Sequence, residues 1–240
     1  MRILGIDTAI PTASVALVEN GELLVEQIQA RLAGGPRGNH AEVILPLIQS
    51  LFNKAKITLS DLSGMAVSIG PGSFTGLRIG LATAKGMAYE SNLPLIGVST
   101  LHAGAARVRN FDGLIGSMLD ARKSEVYLAL FRRSQKTLTR LTPDAAVSVK
   151  SAVELVRKYQ TVGSSALLIG SGAKAYEREI SESFGPSVRI SAGACYSSVA
   201  AQVALLADGR FDAAALDDAG ALAPVYLRIS EAESKPKNLA

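Results

Sequence analysis

The 240-residue sequence holds one cysteine, two histidines and no tryptophan, and only 5% of its residues are aromatic. A single Cys forms no internal disulfide, and one Cys with two His cannot build a four-ligand zinc site of the Cys or Cys/His type. His40 and His102 stand far apart, so there is no helical HxxxH pair and a zinc-protease reading fails. No GxSxG elbow presents a nucleophilic Ser, and Cys195, set among Ala, Gly and Tyr, reads as a packing thiol. Long apolar runs are missing as well. Nothing approaches the roughly 18 residues of a membrane span, and the apolar stretch after Met1-Arg2 is too short for a signal peptide. These shortages lead us to expect a soluble protein of the reducing cytoplasm, with no membrane contact.

What the chain does have is apolar bulk: 48% hydrophobic residues, with 25 Lys and Arg against 21 Asp and Glu for a net charge of +4. That composition supports a sizeable core in about one to two domains. Residues 3–6, 13–18 and 23–28 read as a strand followed by a β-hairpin turning at Asn20-Gly21. A glycine-rich loop over 31–39 precedes apolar residues at helical spacing from Val43 to Phe52, within which Pro46 must begin or kink the helix. A strand over 65–69, a turn capped by Ser73, a helix over 74–90 and a strand over 95–98 follow.

The pattern then restarts. Strand 114–119 ends in Asp120, as the first strand ends in Asp7, and an overlay offset by 113 residues also matches Ala16 to Ala129 and Leu17 to Leu130. Strands over 126–131 and 138–141, a helix over 151–159, a strand over 166–169, a helix over 173–184, a strand over 188–190 and an Ala-rich helix over 199–206 complete the second half. The tail over 230–240 is polar and expected to fray. We expect an α/β protein of two related βββαβα-type halves, 1–106 and 107–240, whose last helix is free to pack back on the first half. Between Arg107 and Arg140, eight basic residues face three acidic ones. A solvated sheet edge defended by charge explains the run better than a nucleic-acid surface, because no aromatic residues are interleaved for stacking.

A strand ending in Asp followed by a hairpin, twice over, resembles the two phosphate loops of the actin, hexokinase and Hsp70 (ASKHA) superfamily. Both Asp7-Thr8-Ala9 and Asp120-Ala121-Arg122 lack the Gly that lets backbone approach a phosphate there. Asp7, with Gly170 and Gly172 of Gly170-Ser171-Gly172, forms the candidate nucleotide-binding set; a plain strand-end turn role serves Asp7 and Asp120 equally well. His40 beside Glu42 reads as a surface pair, and His102 as a partly buried side chain.

Gly76, Gly80, Ala84 and Ala88 recur every fourth residue and form one bare ridge along a helix. Gly76, Gly80 and Gly86 together forgo roughly 2–3 kcal/mol of helix propensity. Close approach to the helix's own sheet and close packing against another subunit are equally able to compensate.

The stretches Ile3-Leu4-Gly5-Ile6-Asp7-Thr8-Ala9, Leu45-Pro46-Leu47-Ile48, Gly70 through Gly80, PLIGVSTL at 94–101, Asp120-Ala121-Arg122 with Glu125-Val126-Tyr127, and Pro224-Val225-Tyr226-Leu227-Arg228 resemble the TsaB (YeaZ) family. The resemblance implies an ASKHA fold and an accessory, non-catalytic role in forming N6-threonylcarbamoyladenosine in tRNAs that read ANN codons. It implies a TsaD partner that holds the metal and performs the transfer from threonylcarbamoyl-AMP, and a third subunit, TsaE. No cofactor is expected in this chain, with ATP or ADP and a metal ion belonging to the partners; the TsaD metal pair falls here on Thr100 and Gly104. The resemblance also implies a helical interface, with TsaD or in a homodimer, carried onto Gly76, Gly80 and Ala84 with Leu45 and Ile48. Competing readings are an ASKHA-type ATPase or small-molecule kinase and, less favoured, a metalloprotease-like protein.

Overall fold

Each half of the chain wraps a sheet with helices on both faces. A computed structural model describes residues 1–29, 40–161, 164–191, 197–213 and 215–228. The loop expected over 31–39, Cys195 and the tail over 230–240 lie outside the described residues. In the first half, β1 (Arg2–Asp7), β2 (Ala13–Glu19) and β3 (Glu22–Gln29) lead to α1 (His40–Ala55), β4 (Gly64–Gly70), α2 (Phe74–Glu90), β5 (Leu95–Ser99) and α3 (Thr100–Ala106). The second half runs β6 (Gly113–Arg122), β7 (Glu125–Ser134), β8 (Thr137–Arg140), β9 (Ala145–Ser148), α4 (Val149–Tyr159), β10 (Ala166–Ile169), α5 (Ser171–Ala175), α6 (Glu177–Phe184), β11 (Val188–Ser191) and α7 (Ala200–Asp212). The sheets are ordered β3-β2-β1-β4-β5 and β11-β10-β6-β7-β8, with β9 also paired to β7.

Side-chain alternation assigns the faces. Leu4, Ile6, Leu17, Met65 and Val67 pack outward on Ile44, Leu47 and Leu51 of α1 and Leu81 and Ala84 of α2. Ile3, Ala66 and Ile96 point the other way, into a layer of α3 and α7 that Ile115, Leu119, Ala129 and Phe131 of the second sheet cover from its far side. The outer face of the second sheet buries Leu114, Met118 and Leu130 against α4 and α6. One core therefore runs through both halves. Helix α7 packs back on the first sheet so closely that a Cβ on Gly5 would lie 2.3 Å from the Ala200 carbonyl.

Four local expectations change. Helix α1 begins at His40, so Pro46 sits inside it on the exposed side, where its missing N–H faces solvent. The helix expected over 173–184 is two helices broken at Tyr176, and β9 is an added strand. The overlay of Asp7 on Asp120 fails by one step: Leu17 pairs with Leu4, but Leu130 pairs with Gly116. A one-residue slip reverses the face of a strand, so Asp7 points into the α3/α7 layer and Asp120 points away from it. Among the described residues, no helix is long and apolar enough to cross a membrane.

Candidate functional site

The glycine-rich helix explains itself at its start. Ser73 caps α2 by accepting the Gly76 amide, and its own amide donates to the Ala9 carbonyl at 2.7 Å. The Thr8 hydroxyl donates to the Gly76 carbonyl at 2.7 Å. A Cβ on Gly76 would stand 2.0 Å from the Thr8 carbonyl oxygen, and one on Gly80 would stand 2.3 Å from the Thr8 Oγ1. The ridge thus seats the loop that follows β1. Gly76, Gly80 and Ala84, expected at a partner interface, are all buried against the chain's own first sheet. Ile48, expected beside them, is 3% exposed in the same core.

Leu45 has the opposite environment. It is 56% exposed, on the outer side of α1 with Gln49 and Asn53. The corresponding outer side of α2 carries Thr75, Ala82, Gly86 and Tyr89, with Tyr89 91% exposed. Gly86 has nothing within 4 Å of where a Cβ would be. Of the three glycines in α2 it alone gains no close approach within the chain.

Asp7 is completely buried. Its Oδ1 accepts the Ala9 amide at 3.1 Å, while its Oδ2 is buried without a partner, as are the hydroxyls of Ser14 and Ser68 on the flanking strands. Burial pushes the Asp7 carboxyl up to about 6, although the neighbouring Ser68 hydroxyl and the Ala9 amide pull it down. Asp120, by contrast, is exposed and accepts the Arg122 amide at 2.8 Å and the Tyr176 hydroxyl at 3.3 Å. Gly170 has φ of 102°, a conformation that favours glycine, and a Cβ on Gly172 would stand 2.9 Å from Leu119 backbone. Together these positions do not fit a nucleotide's phosphates: one carboxylate is walled in, its loop is held down by α2, and the other carboxylate faces the far side of its sheet.

Among the described residues, no three His, Cys, Asp or Glu side chains converge as a metal site would require. Thr100 and Gly104 are both buried on α3. His102 is half-buried and stacks on Phe131 at 5.3 Å between ring centroids. Burial first, and then the charge of Arg140, press its imidazole down to about 4 against the opposing pull of Asp144. His40 lies 3.4 Å from the Pro11 carbonyl. Three residues of the basic run serve the fold directly: Arg107 donates to the Ser198 carbonyl, Arg132 to the Tyr159 carbonyl at 2.7 Å, and Arg140 to Asp144 at 2.6 Å.

Sequence reasoning missed the segment over 215–228, which binds the first half's edge and returns to the second half. Asp217 accepts the Gly97 amide at 2.8 Å while Arg210 donates to the Gly97 carbonyl at 3.1 Å and pairs with Asp217 at 2.7 Å. Val225 then donates to the Ile69 carbonyl at 2.7 Å. Tyr226 accepts from Arg78 of α2 at 2.9 Å, and Arg228 donates to the Ala121 carbonyl at 2.6 Å. The only sequence signal was the Pro224-Val225-Tyr226-Leu227-Arg228 stretch, whose contacts are all long-range.

Residues 36–235 match the family model described as TsaD: tRNA N6-adenosine threonylcarbamoyltransferase. A tRNA threonylcarbamoyladenosine biosynthesis protein TsaB of Bacillus subtilis is 33% identical over 235 residues, covering 98% of this chain and 97% of the relative. The solved structure of YeaZ from Pseudomonas aeruginosa superposes with a TM-score of 0.77 at 24% identity, covering 94% of this chain and 99% of that one. The ethanolamine utilization protein EutJ from Carboxydothermus hydrogenoformans follows at a TM-score of 0.52 and 12% identity, covering 86% and 90%. The fold is the ASKHA fold.

Proposed function

Because this chain belongs to the TsaB family of tRNA threonylcarbamoyladenosine biosynthesis proteins, we propose that it acts as the non-catalytic subunit that holds TsaD through the outer faces of α1 and α2. In this reading TsaD carries the metal and transfers the threonylcarbamoyl group from threonylcarbamoyl-AMP to tRNAs that read ANN codons. ATP or ADP belongs to the partner subunits, TsaE joins the assembly, and no bond is made or broken in this chain. The same helical face pairs two copies of the chain when TsaD is absent, so homodimer and heterodimer exclude each other. The cytoplasm, where tRNA is modified, is the expected location.

The observation that supports this surface is Gly86. An exposed helix-interior glycine forgoes about 1 kcal/mol relative to Ala, and nothing in the chain comes near enough to require it. With Ala82 one turn before it, it leaves the outer face of α2 low enough for a second helix to approach closely. Gly86→Leu tests this directly. The isolated variant should be at least as stable as the wild type, because the space around Gly86 is open, while co-purification with TsaD and reconstituted tRNA modification should fall more than tenfold. Retention of both at wild-type levels would remove this face as the interface. Independence of modification from the wild-type chain would remove the accessory role itself.

A further inference from the structure

Arg133 is only 7% exposed, yet no carboxylate pairs with it among the described residues. Its Nη1 makes one long bond of 3.4 Å to the Lys136 carbonyl, and its Nε is buried without a partner. Burial, and then the charge of nearby Arg109, hold its guanidinium below the ordinary value, with Asp112 opposing. Asp112 already accepts the Gln135 amide at 2.6 Å. An arginine side chain this buried, acted on by a second guanidinium and by Asp112 but bonded to no carboxylate, lacks a direct counter-charge, an arrangement that normally costs a fold stability.

The surroundings extend the same imbalance. Arg133 sits opposite Gly113, where β6 begins, so the segment carrying Arg109 and Asp112 and the β7–β8 turn carrying Lys136 share one pole of the second sheet. Val188, Ala166 and Leu114 align there across β11, β10 and β6. This alignment brings exposed Arg189 to the same pole, its guanidinium 5.2 Å from the Phe111 ring centre. Lys136 and Arg109 are also exposed. From β7 to β11 the cations are spread over three strand spacings, roughly 14 Å.

We propose that this pole is a phosphate-oxyanion site, with Arg109 and Arg133 at its centre and Lys136 and Arg189 at its rim, occupied by the phosphodiester backbone of RNA. Guanidinium forks match phosphate oxygens, and a bound oxyanion supplies the counter-charge that Arg133 lacks. A row of this length meets successive phosphates of a strand, whereas a free phosphate engages only its centre. The inference rests on the reading that the chain works on tRNA, and it names where this subunit touches that substrate.

The test is the affinity of the intact chain for a fluorescently labelled tRNA transcript, read at several salt concentrations. Arg109→Ala with Lys136→Ala removes two exposed cations, and should weaken binding on the order of tenfold or more and flatten the salt dependence by about two phosphate contacts. Arg133→Met removes the buried charge while keeping its volume. It should raise the melting midpoint without RNA and still weaken RNA binding, a combination that a purely structural arginine would not produce. Unchanged affinity and salt dependence in both variants would overturn the proposal. A melting shift with inorganic phosphate that Arg133→Met abolishes, alongside unchanged tRNA affinity, would reassign the site to a free phosphate and overturn the RNA occupant. Loss of TsaD co-purification with unchanged tRNA affinity would do the same in favour of a protein carboxylate. If reconstituted modification needs the wild-type chain but runs equally well with the double variant, this site falls and the accessory role stands.

Discussion

Replacing Asp7 with Asn should stabilise the protein at neutral pH and leave it nearly unchanged near pH 4. The carboxyl is completely buried, its Oδ1 accepts the Ala9 amide, and its Oδ2 and the flanking Ser14 hydroxyl are buried without a partner. A group pushed up from 3.8 to about 6 holds its proton more tightly in the folded state. Its favourable contribution is complete below the unfolded value and is lost as pH rises through the folded one. At about 1.4 kcal/mol for each tenfold in proton affinity, the whole loss is about 3 kcal/mol, of which about 2.4 kcal/mol falls between pH 4 and pH 7. Asn does not titrate, so it suffers no such loss. The advantage of Asp7→Asn should therefore grow by about 2.4 kcal/mol over that window, or about 5–10 °C in melting midpoint for a chain of this size. Urea denaturation of both proteins at half-unit pH steps, followed by circular dichroism, measures the difference. The acid sensitivity of His102 is common to both and cancels. A difference that is flat with pH, or a variant less stable at pH 7.5, would refute the assignment of Asp7 as the buried ionisable load.

Gly80→Ala should destabilise the protein by about 1–3 kcal/mol despite its gain in helix propensity, because the new Cβ lies 2.3 Å from Thr8 Oγ1; wild-type urea midpoints would contradict this. Arg210→Ala should cost about 1–3 kcal/mol and increase light scattering, since it unpairs Asp217 and the Gly97 carbonyl on an edge strand; a monodisperse variant of unchanged stability would count against that role. His102→Phe keeps the stack on Phe131 and removes an imidazole pressed down to about 4. For a lowered His, stability is lost as pH falls from the unfolded value toward the folded one, so this variant should show a shallower acid limb between pH 6.5 and 4, and an identical limb would argue against it.

Local pattern carried most of the architecture. The strand ending in Asp7, the Ser73 cap and the apolar spacing of α1 each depend on neighbours within a few positions, and each appears in the fold where the sequence places it. The four-residue glycine ridge was also legible, but its direction was not. Spacing shows that one face is bare, and only the loop at Thr8–Ala9 shows that the bare face looks inward. The pairing of Asp7 with Asp120 failed because a one-step register change is invisible in an ungapped overlay, yet it turns a side chain to the opposite face. The short β9 is set by its pairing with β7 across the second sheet. The charge of Arg133 was counted with its neighbours, and burial separates it from them.

The inner face of the first sheet is completed by residues that come last. Ile3, Ala66 and Ile96 wait for Val203, Ala204 and Ala207 of α7, which lie beyond the whole of the second sheet in chain order. During synthesis from the N-terminus, strands β1, β4 and β5 are therefore made with this apolar face covered only in part, by α3, until residues 200–212 have been added. Unlike a chain whose domains mature one after another, this one closes its first layer at nearly the same moment as its last. With one core shared by both halves, the finished protein should unfold in a single transition.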